Sequence, residues 1–445
     1  MMKPQIRILP TLSKAIWLLP LSTSLWVAAT GVSRADTELS LQETIDRAVQ
    51  RSTQVGVAEA DLQASVERKR QAWTNVGPRL SASYTESRFD GAQVSPLGLV
   101  RGDTTKSGSL TLAQPITGLY AAVEYAKMNG LQADLSQESL KQAKRDAGYG
   151  AAESFLQAYQ AQEQVAIAEA SVAAAKSAFQ DAQAMFRVGR LSQADQLKFE
   201  LALSQAQTRL AQAKALRQVS YLALRQAIQL PDNEAMTLQK QLPKIPEVPA
   251  DSVKPKLDAS RSELRKADLG SEIAGFGKKL AYAKLVPNVS VFAKWDRNFG
   301  EQTLLSGPKD NKYYGVKLDW DVWTNGTSVF EIREASAQQA KADLVKQSIN
   351  DAVQLDLTQA FENSMAAQES LRLARSAVAQ ADEVYRIDQL RFKNGQISAT
   401  DLIRSESDRT TASGNLINAE TQLLVWYLRL QKAAGSELPH VAANP

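Results

Sequence analysis

The stretch Phe186-Arg-Val-Gly189-Arg-Leu191-Ser192-Gln-Ala-Asp195-Gln-Leu197 is answered 206 residues later by Phe392-Lys-Asn-Gly395-Gln-Ile397-Ser398-Ala-Thr-Asp401-Leu-Ile403. The offset holds downstream, where Ala206 returns as Ala412, Leu210 as Leu416, Tyr221 as Tyr427 and Leu224 as Leu430. Upstream it drifts by three residues, so that Pro78, Leu80 and Ser81 are matched by Pro287, Val289 and Ser290. A repeat this long is a duplicated structural half rather than a small solenoid unit. Each copy reads as a helix stop followed by a restart. Gly189 and Gly395 supply the left-handed conformation that ends a helix, and Ser192-x-x-Asp195 and Ser398-x-x-Asp401 are capping boxes that begin the next one.

Long helices lead into both stops. Residues 119–186 and 328–392 contain no proline and are rich in Ala, Gln, Glu, Lys and Leu, all good helix formers. Phe155, Leu156, Tyr159, Val165, Ile167, Val172, Phe179 and Phe186 recur at mixed three- and four-residue steps, the spacing of a coiled-coil seam. The returning helices run to about residues 230 and 434. Each half therefore contains a helical hairpin, with its tip at Gly189 or Gly395.

Between helices the period changes to two. Strands are expected at about 79–90, 106–116, 288–299 and 312–323, each with one apolar and one polar face. Tyr84, Trp295, Trp320 and Trp323 are the aromatics of a lipid interface. Lys317, Asp319 and Asp321 alternate with Val316, Leu318 and Trp320, which turns the charges toward a barrel lumen. Residues 90–105 and 300–311 are polar loops joining the strands, while Pro78 and Pro287 end an incoming helix just before a strand. An ordinary soluble hairpin packed on a helix is the alternative, but the flanking helices leave little to cover an apolar face. Four strands cannot close a barrel, and open edges are not tolerated in lipid. The chain must then oligomerise: two, three or four copies give roughly 8, 12 or 16 strands, and only a wider barrel leaves a channel.

The ends and the composition narrow the function. Lys3, Arg7 and Lys14 precede an apolar run, and Ser33-Arg34-Ala35 offers small residues for cleavage, so residues 1–35 read as a secretory signal peptide. Those residues carry the whole formal charge of +4, which leaves the remainder near neutral and removes the basis for a nucleic-acid partner. There is no cysteine, hence no disulfide framework or thiol chemistry, and the single histidine, His440, lies in a polar tail. Catalytic triads and His-based metal sites are thereby nearly excluded. No catalytic residue, metal site or cofactor is expected. A carboxylate-based envelope hydrolase is the remaining enzymatic reading, and no constellation supports it.

Residues 36–230 thus form a first repeat and 263–435 a second. A proline-rich linker over 231–262 separates them, and a tail over 436–445 follows. Ser40-Leu-Gln-Glu43 and Ser260-Arg-Ser-Glu263 read as further capping boxes, starting the helices that climb to Pro78 and Pro287.

In this order (signal, helix, two strands, long helix, glycine tip, returning helix, then all but the signal repeated) the chain resembles the TolC-type outer-membrane efflux proteins. The resemblance covers the sequence from about 39 to 435. Its most specific parts are Val188-Gly189-x-Leu191-Ser192-x-x-Asp195, Gly395-Gln-Ile397-Ser398-x-x-Asp401 and the duplicated Pro-to-strand junctions. It implies a mainly helical fold, with a coiled-coil tunnel in the periplasm and a trimeric, twelve-stranded barrel in the outer membrane. The implied function is a passive exit duct of a tripartite efflux pump or type I secretion system. The implied partners are two further copies of the chain, a periplasmic adaptor (membrane fusion) protein, an inner-membrane RND or ABC transporter, and outer-membrane lipid. A periplasmic coiled-coil scaffold of an envelope complex is the alternative.

The resemblance also assigns roles. Val188, Gly189, Leu191, Ser192, Asn394, Gly395, Ile397 and Ser398 fall where the adaptor docks. Asp195, Phe392, Asp401 and Arg404 fall near the pore constriction. The chain departs from the archetype there: Phe392 replaces a tyrosine, Ile397 an arginine, and Arg404 a second acid. A tip latched by polar bonds is therefore not expected, and closure should rest on apolar packing.

Overall fold

A computed structural model describes residues 38–231, 234, 236–239, 241–243, 258, 260–300, 308–436 and 438. The expected signal peptide and His440 lie outside the described residues, as does much of the proline-rich linker.

In chain order the elements are β1 (Glu38–Leu39), α1 (Leu41–Arg51), α2 (Thr53–Thr74), β2 (Arg79–Arg88), β3 (Gln93–Ser95), β4 (Gly98–Arg101), β5 (Thr104–Pro115), α3 (Gly118–Arg187) and α4 (Gln193–Ala227) in the first half. They continue with β6 (Thr237–Leu238), α5 (Ser262–Ala283), β7 (Asn288–Asn298), β8 (Asp310–Asp319), α6 (Thr327–Lys393) and α7 (Ala399–Ala434). The proline-free stretches become helices of 70 and 67 residues. At 1.5 Å per residue each is about 100 Å long. Such helices need neighbours on more than one side, and small residues supply the room. Along α3, Ala126, Ala133, Ala151, Ala152, Ala158 and Ala161 are all buried.

Four strands form one antiparallel sheet in the order β2-β5-β7-β8. Both halves contribute a pair, and β5 against β7 joins them, with Leu110 opposite Trp295. Among the described residues β2 and β8 are free edges. The helices meet the sheet at one end only. There Thr117 donates its hydroxyl proton to Pro287 O at 2.6 Å, while its Oγ1 accepts the Val289 amide at 2.7 Å, tying the start of α3 to the start of β7.

Midway along the helices lies the largest apolar core, containing Leu39, Ile45, Phe155, Leu156, Leu224, Ile228, Leu238, Leu424 and Leu428. The parallel pair β1–β6 fastens the start of the described chain to the linker beside this core. A buried ionic cluster closes the same level. Arg145 of α3 bonds Glu263 of α5 at 2.7 Å, and Arg261 bonds Glu263 at 3.0 Å, Asp356 of α6 at 3.2 Å and Ala433 O of α7 at 2.7 Å. Both arginines are about 95% buried.

Several expectations change. The first climbing helix is broken at Ser52, whose extended ψ of 128° separates α1 from α2. Ser40 caps α1 by accepting the Glu43 amide, but Glu43 turns its carboxylate to Arg47 at 2.6 Å instead of completing the box. Ser260 does not cap α5 at all. Its amide donates to Asp258 Oδ1 at 2.8 Å, Arg261 takes the cap position, and Glu263 is held by the two guanidinium groups. Residues 90–105 are not a plain loop, because β3 and β4 fold there into a small hairpin. Strand β8 ends at Asp319, four residues short of expectation, so the alternation that grouped Asp321 with Lys317 and Asp319 does not reach it. Of the second loop, residues 301–307 lie outside the described residues.

Candidate functional site

The two tips share one backbone solution. Gly189 and Gly395 both adopt φ +72°. At the first, the Arg190 amide reaches back to Met185 O at 2.9 Å; at the second, the Gln396 amide reaches Arg391 O at 2.9 Å. This is the Schellman closure of a helix end. Nothing stands within 4 Å of a Cβ built on either glycine, so the requirement is conformational and not steric. Val188, beside Gly189, is 69% exposed.

Both restarts are capped. Ser192 Oγ accepts the Asp195 amide at 3.1 Å, and Ser398 Oγ accepts the Asp401 amide at 3.2 Å. Only the second box is complete, with Asp401 Oδ2 accepting the Ser398 amide at 3.2 Å. The carboxylate of Asp195 turns instead to Lys198, which bonds it at 2.9 Å and reaches Thr400 of the other hairpin at 3.3 Å. Lys198 and the Ser192 hydroxyl hold Asp195 below the ordinary aspartate range. The Ser398 hydroxyl and amide do the same for Asp401, and Arg404 adds attraction at longer range. Arg404 itself is exposed and forms no ion pair within 4 Å among the described residues.

Phe392 is 5% exposed and lies inside the tip rather than on its surface. It packs in a core with Ala182, Phe199, Ala399 and Leu402, bordered by Met185, Leu191, Tyr385 and Ile397. Of the four constriction candidates, then, three remain at the surface and one is a packing residue. Phe199 was not anticipated. The available signal was a break in the repeat: its counterpart at an offset of 206 is Ser405, so the first half carries a ring where the second carries a hydroxyl. Above the core, polar rungs join α3 to α7. Ser171 donates to Glu406 at 2.7 Å, and Gln160 and Gln164 both reach Asn418.

The sheet is amphipathic across all four strands. The register places Leu80, Ala82 and Tyr84 of β2, Leu110 and Leu112 of β5, Val289, Val291, Ala293 and Trp295 of β7, and Tyr314, Val316 and Leu318 of β8 on one face. Most of these side chains are exposed, Tyr314 at 88% and Val316 at 68%. The opposite face carries Ser81, Ser83, Thr111, Ser109, Lys294, Asp296, Lys317 and Asp319. Its charges pair locally, Lys294 with Asp296 at 3.0 Å and Lys317 with Asp319 at 2.9 Å. Among the described residues no helix is long and apolar enough to cross a membrane, which bears on helices and not on strands.

The outer membrane efflux protein family model matches residues 44–228 and 255–436, one match in each repeat. The chain belongs to this family. Members are TolC-type channels of the outer membrane and not enzymes. The curated relative BepC of Brucella suis, an outer membrane efflux protein, is 22% identical over 300 residues. That alignment takes in 67% of this chain and 65% of BepC, just under two thirds of the relative's length. The CmeC outer membrane channel of Campylobacter jejuni superposes with a TM-score of 0.79 at 13% identity, covering 89% of this chain and 86% of that one. VceC of Vibrio cholerae gives 0.73 at 17% identity, covering 89% and 96%. Both share the family's fold of long helices and antiparallel strands.

Proposed function

We propose that this family member is a passive exit duct for a tripartite efflux pump or a type I secretion system, working as a trimer. The observation that carries the reading is the four-stranded sheet, with one exposed apolar face and two unpaired edges. Water does not favour a face of that size, and lipid does not tolerate the edges. Three copies joined edge to edge satisfy both conditions: roughly twelve strands close a barrel wide enough to hold water. Its apolar face meets lipid, and Lys294, Asp296, Lys317 and Asp319 meet the lumen. The helices, all leaving one end of the sheet, then form the periplasmic portion.

The tips are the docking elements for a periplasmic adaptor. Val188, Gly189, Leu191 and Ser192 form one site, and Asn394, Gly395, Ile397 and Ser398 the other. Energy comes from an inner-membrane RND or ABC transporter, because nothing among the described residues resembles a nucleotide or proton-relay site. Asp195, Asp401 and Arg404 surround the entrance. Purified protein in a planar bilayer should insert and conduct ions, and cells should release it only to detergent. Release by salt or alkali, without conductance, would make it a periplasmic scaffold instead.

A further inference from the structure

The apolar face of the sheet ends in charge at the rim remote from the helices. Continuing the register on that face gives Glu86 and Arg88 on β2, Lys106 on β5, Arg297 on β7, and Asp310 and Lys312 on β8. At the same rim the opposite face carries Thr85, Ser87, Thr105, Ser107, Asn298 and Asn311. Four of the five rim cations thus lie on the face proposed to meet lipid, where solvating a lumen cannot account for them; the fifth, Lys309, continues the opposite face beside Asn298. The other end of the apolar face has none; it finishes in Leu80, Leu112, Val289 and Leu318.

The rim is organised around aromatic rings. Phe299 lies over Gly108, where an added Cβ would come within 3.0 Å of the ring, and its centroid is 6.2 Å from that of Tyr84. The Arg297 guanidinium sits 5.6 Å above the Phe299 ring. Trp295 Nε1 donates to Asp310 at 3.2 Å. The two acids are shared and loosely held: Glu86 is 3.7 Å from both Arg88 and Lys106, and Asp310 is 3.7 Å from Arg297. Lys312 has no ion pair within 4 Å among the described residues, and the Arg88 side chain is 82% exposed. Each chain therefore presents two net positive charges directly beyond a row of interfacial aromatics. A guanidinium presents paired N–H donors to phosphate oxygens, and an ammonium adds a point charge.

We infer that this rim is a binding site for outer-leaflet lipids whose headgroups carry more than one phosphate. The inference rests on the exit-duct reading, which turns this face to lipid and this end outward. Four cations spread over four strands match several separated phosphates rather than one. The aromatic row fixes the depth at which those phosphates meet the rim.

The test uses the full trimer in detergent, with bound lipid counted by native mass spectrometry. The probes are lipid A, its monophosphoryl form and dioleoylphosphatidylglycerol. Lipid A should bind best, and the monophosphoryl form clearly less well. Each of Arg88→Gln, Lys106→Gln, Arg297→Gln and Lys312→Gln should weaken lipid A binding about fivefold. The quadruple variant should not distinguish the three lipids. Equal binding of lipid A and phosphatidylglycerol by the unaltered protein would overturn the inference, whatever the variants do, as would a quadruple variant that binds lipid A undiminished. Conductance of the same preparations separates the two readings. A protein that conducts but shows no preference for lipid A refutes the headgroup site alone. One that neither inserts nor conducts refutes the duct, and the site with it.

Discussion

Phe392 stands edge-on to Phe199, with ring centroids 5.3 Å apart and planes at 62°. The first ring ends α6 and the second lies in α4, so the contact ties one hairpin to the other where both reach their tips. An edge-to-face pair contributes about 0.5–1.5 kcal/mol beyond its buried area, and removing a buried Phe side chain costs about 3–5 kcal/mol. Phe392→Ala should therefore loosen the tip and raise the resting conductance in planar-bilayer recordings. Asp401→Asn should alter cation preference or block by multivalent cations more than it alters closure. An open Asp401→Asn pore beside a shut Phe392→Ala pore would mean that the lock is electrostatic.

Phe186, the repeat partner of Phe392, is 40% exposed in the single chain. If the halves are equivalent, a neighbouring copy should cover it. Native mass spectrometry should give three chains, and a cysteine at 186 should react with maleimide only after the trimer is dissociated. A stable dimer, or free labelling of the intact trimer, would contradict the edge-to-edge assembly.

The Arg145–Glu263–Arg261 cluster gives a pH prediction. Burial acts to raise the Glu263 carboxyl, but its own backbone hydrogen bond and the two guanidinium groups outweigh this and hold it below the usual 4.5. A carboxyl whose value is lowered by folding stabilises the fold fully above 4.5, and that gain disappears as pH falls through the lower folded value. Glu263→Gln leaves two buried arginines without their shared carboxylate and should cost on the order of 3 kcal/mol. Thermal unfolding followed from pH 7 down to 3 should show the unaltered protein losing stability at the acid end. The variant should start lower and fall less steeply there.

Because the chain has no cysteine, a single introduced thiol reports topology cleanly. Leu97, at the turn between β3 and β4, is 86% exposed. Leu97→Cys should react with an impermeant maleimide on intact cells, whereas Val188→Cys at the helical tip should react only after the outer membrane is disrupted. The reverse pattern would invert the proposed orientation.

At the tips, Gly395→Ala places a side chain at φ +72°, which costs about 1–2 kcal/mol. The helices should survive, since their caps are separate, but the turn should open. Pull-down of a purified adaptor should fall for this variant and for Val188→Glu while the trimer persists. Undiminished capture by both would move the docking surface off the tips.

Period and punctuation made much of this legible. The two long helices, the glycine turns, the Ser192 and Ser398 caps and three of the four main strands stand close to where alternation and proline place them. The departures have local causes. Strand β8 stops at Asp319 because the chain turns there toward α6, with the Val322 amide bonding back to Trp320 O. The expected cap at Ser260 failed because Glu263 had stronger partners, and those arginines are distant or adjacent in sequence but not at capping distance. Phe392 read as a substitution near a pore; only packing against a ring nearly 200 residues away shows that it is core. The break in the repeat at Phe199 and Ser405 marks an unusual position without naming the ring it meets.

The self-paired charges on the polar face of the sheet bear on what a recording electrode would register. Lys294 with Asp296, and Lys317 with Asp319, cancel within a few ångströms, well inside the screening length of physiological salt. An ion crossing the proposed barrel would meet short dipoles along most of its length, with Arg79 at one end of the same face and Lys309 at the other left without an ion pair among the described residues. Reversal potentials measured under a salt gradient would then report the helical entrance together with the two barrel ends, and exchanging the self-paired middle of the barrel for another of equal width would not shift them.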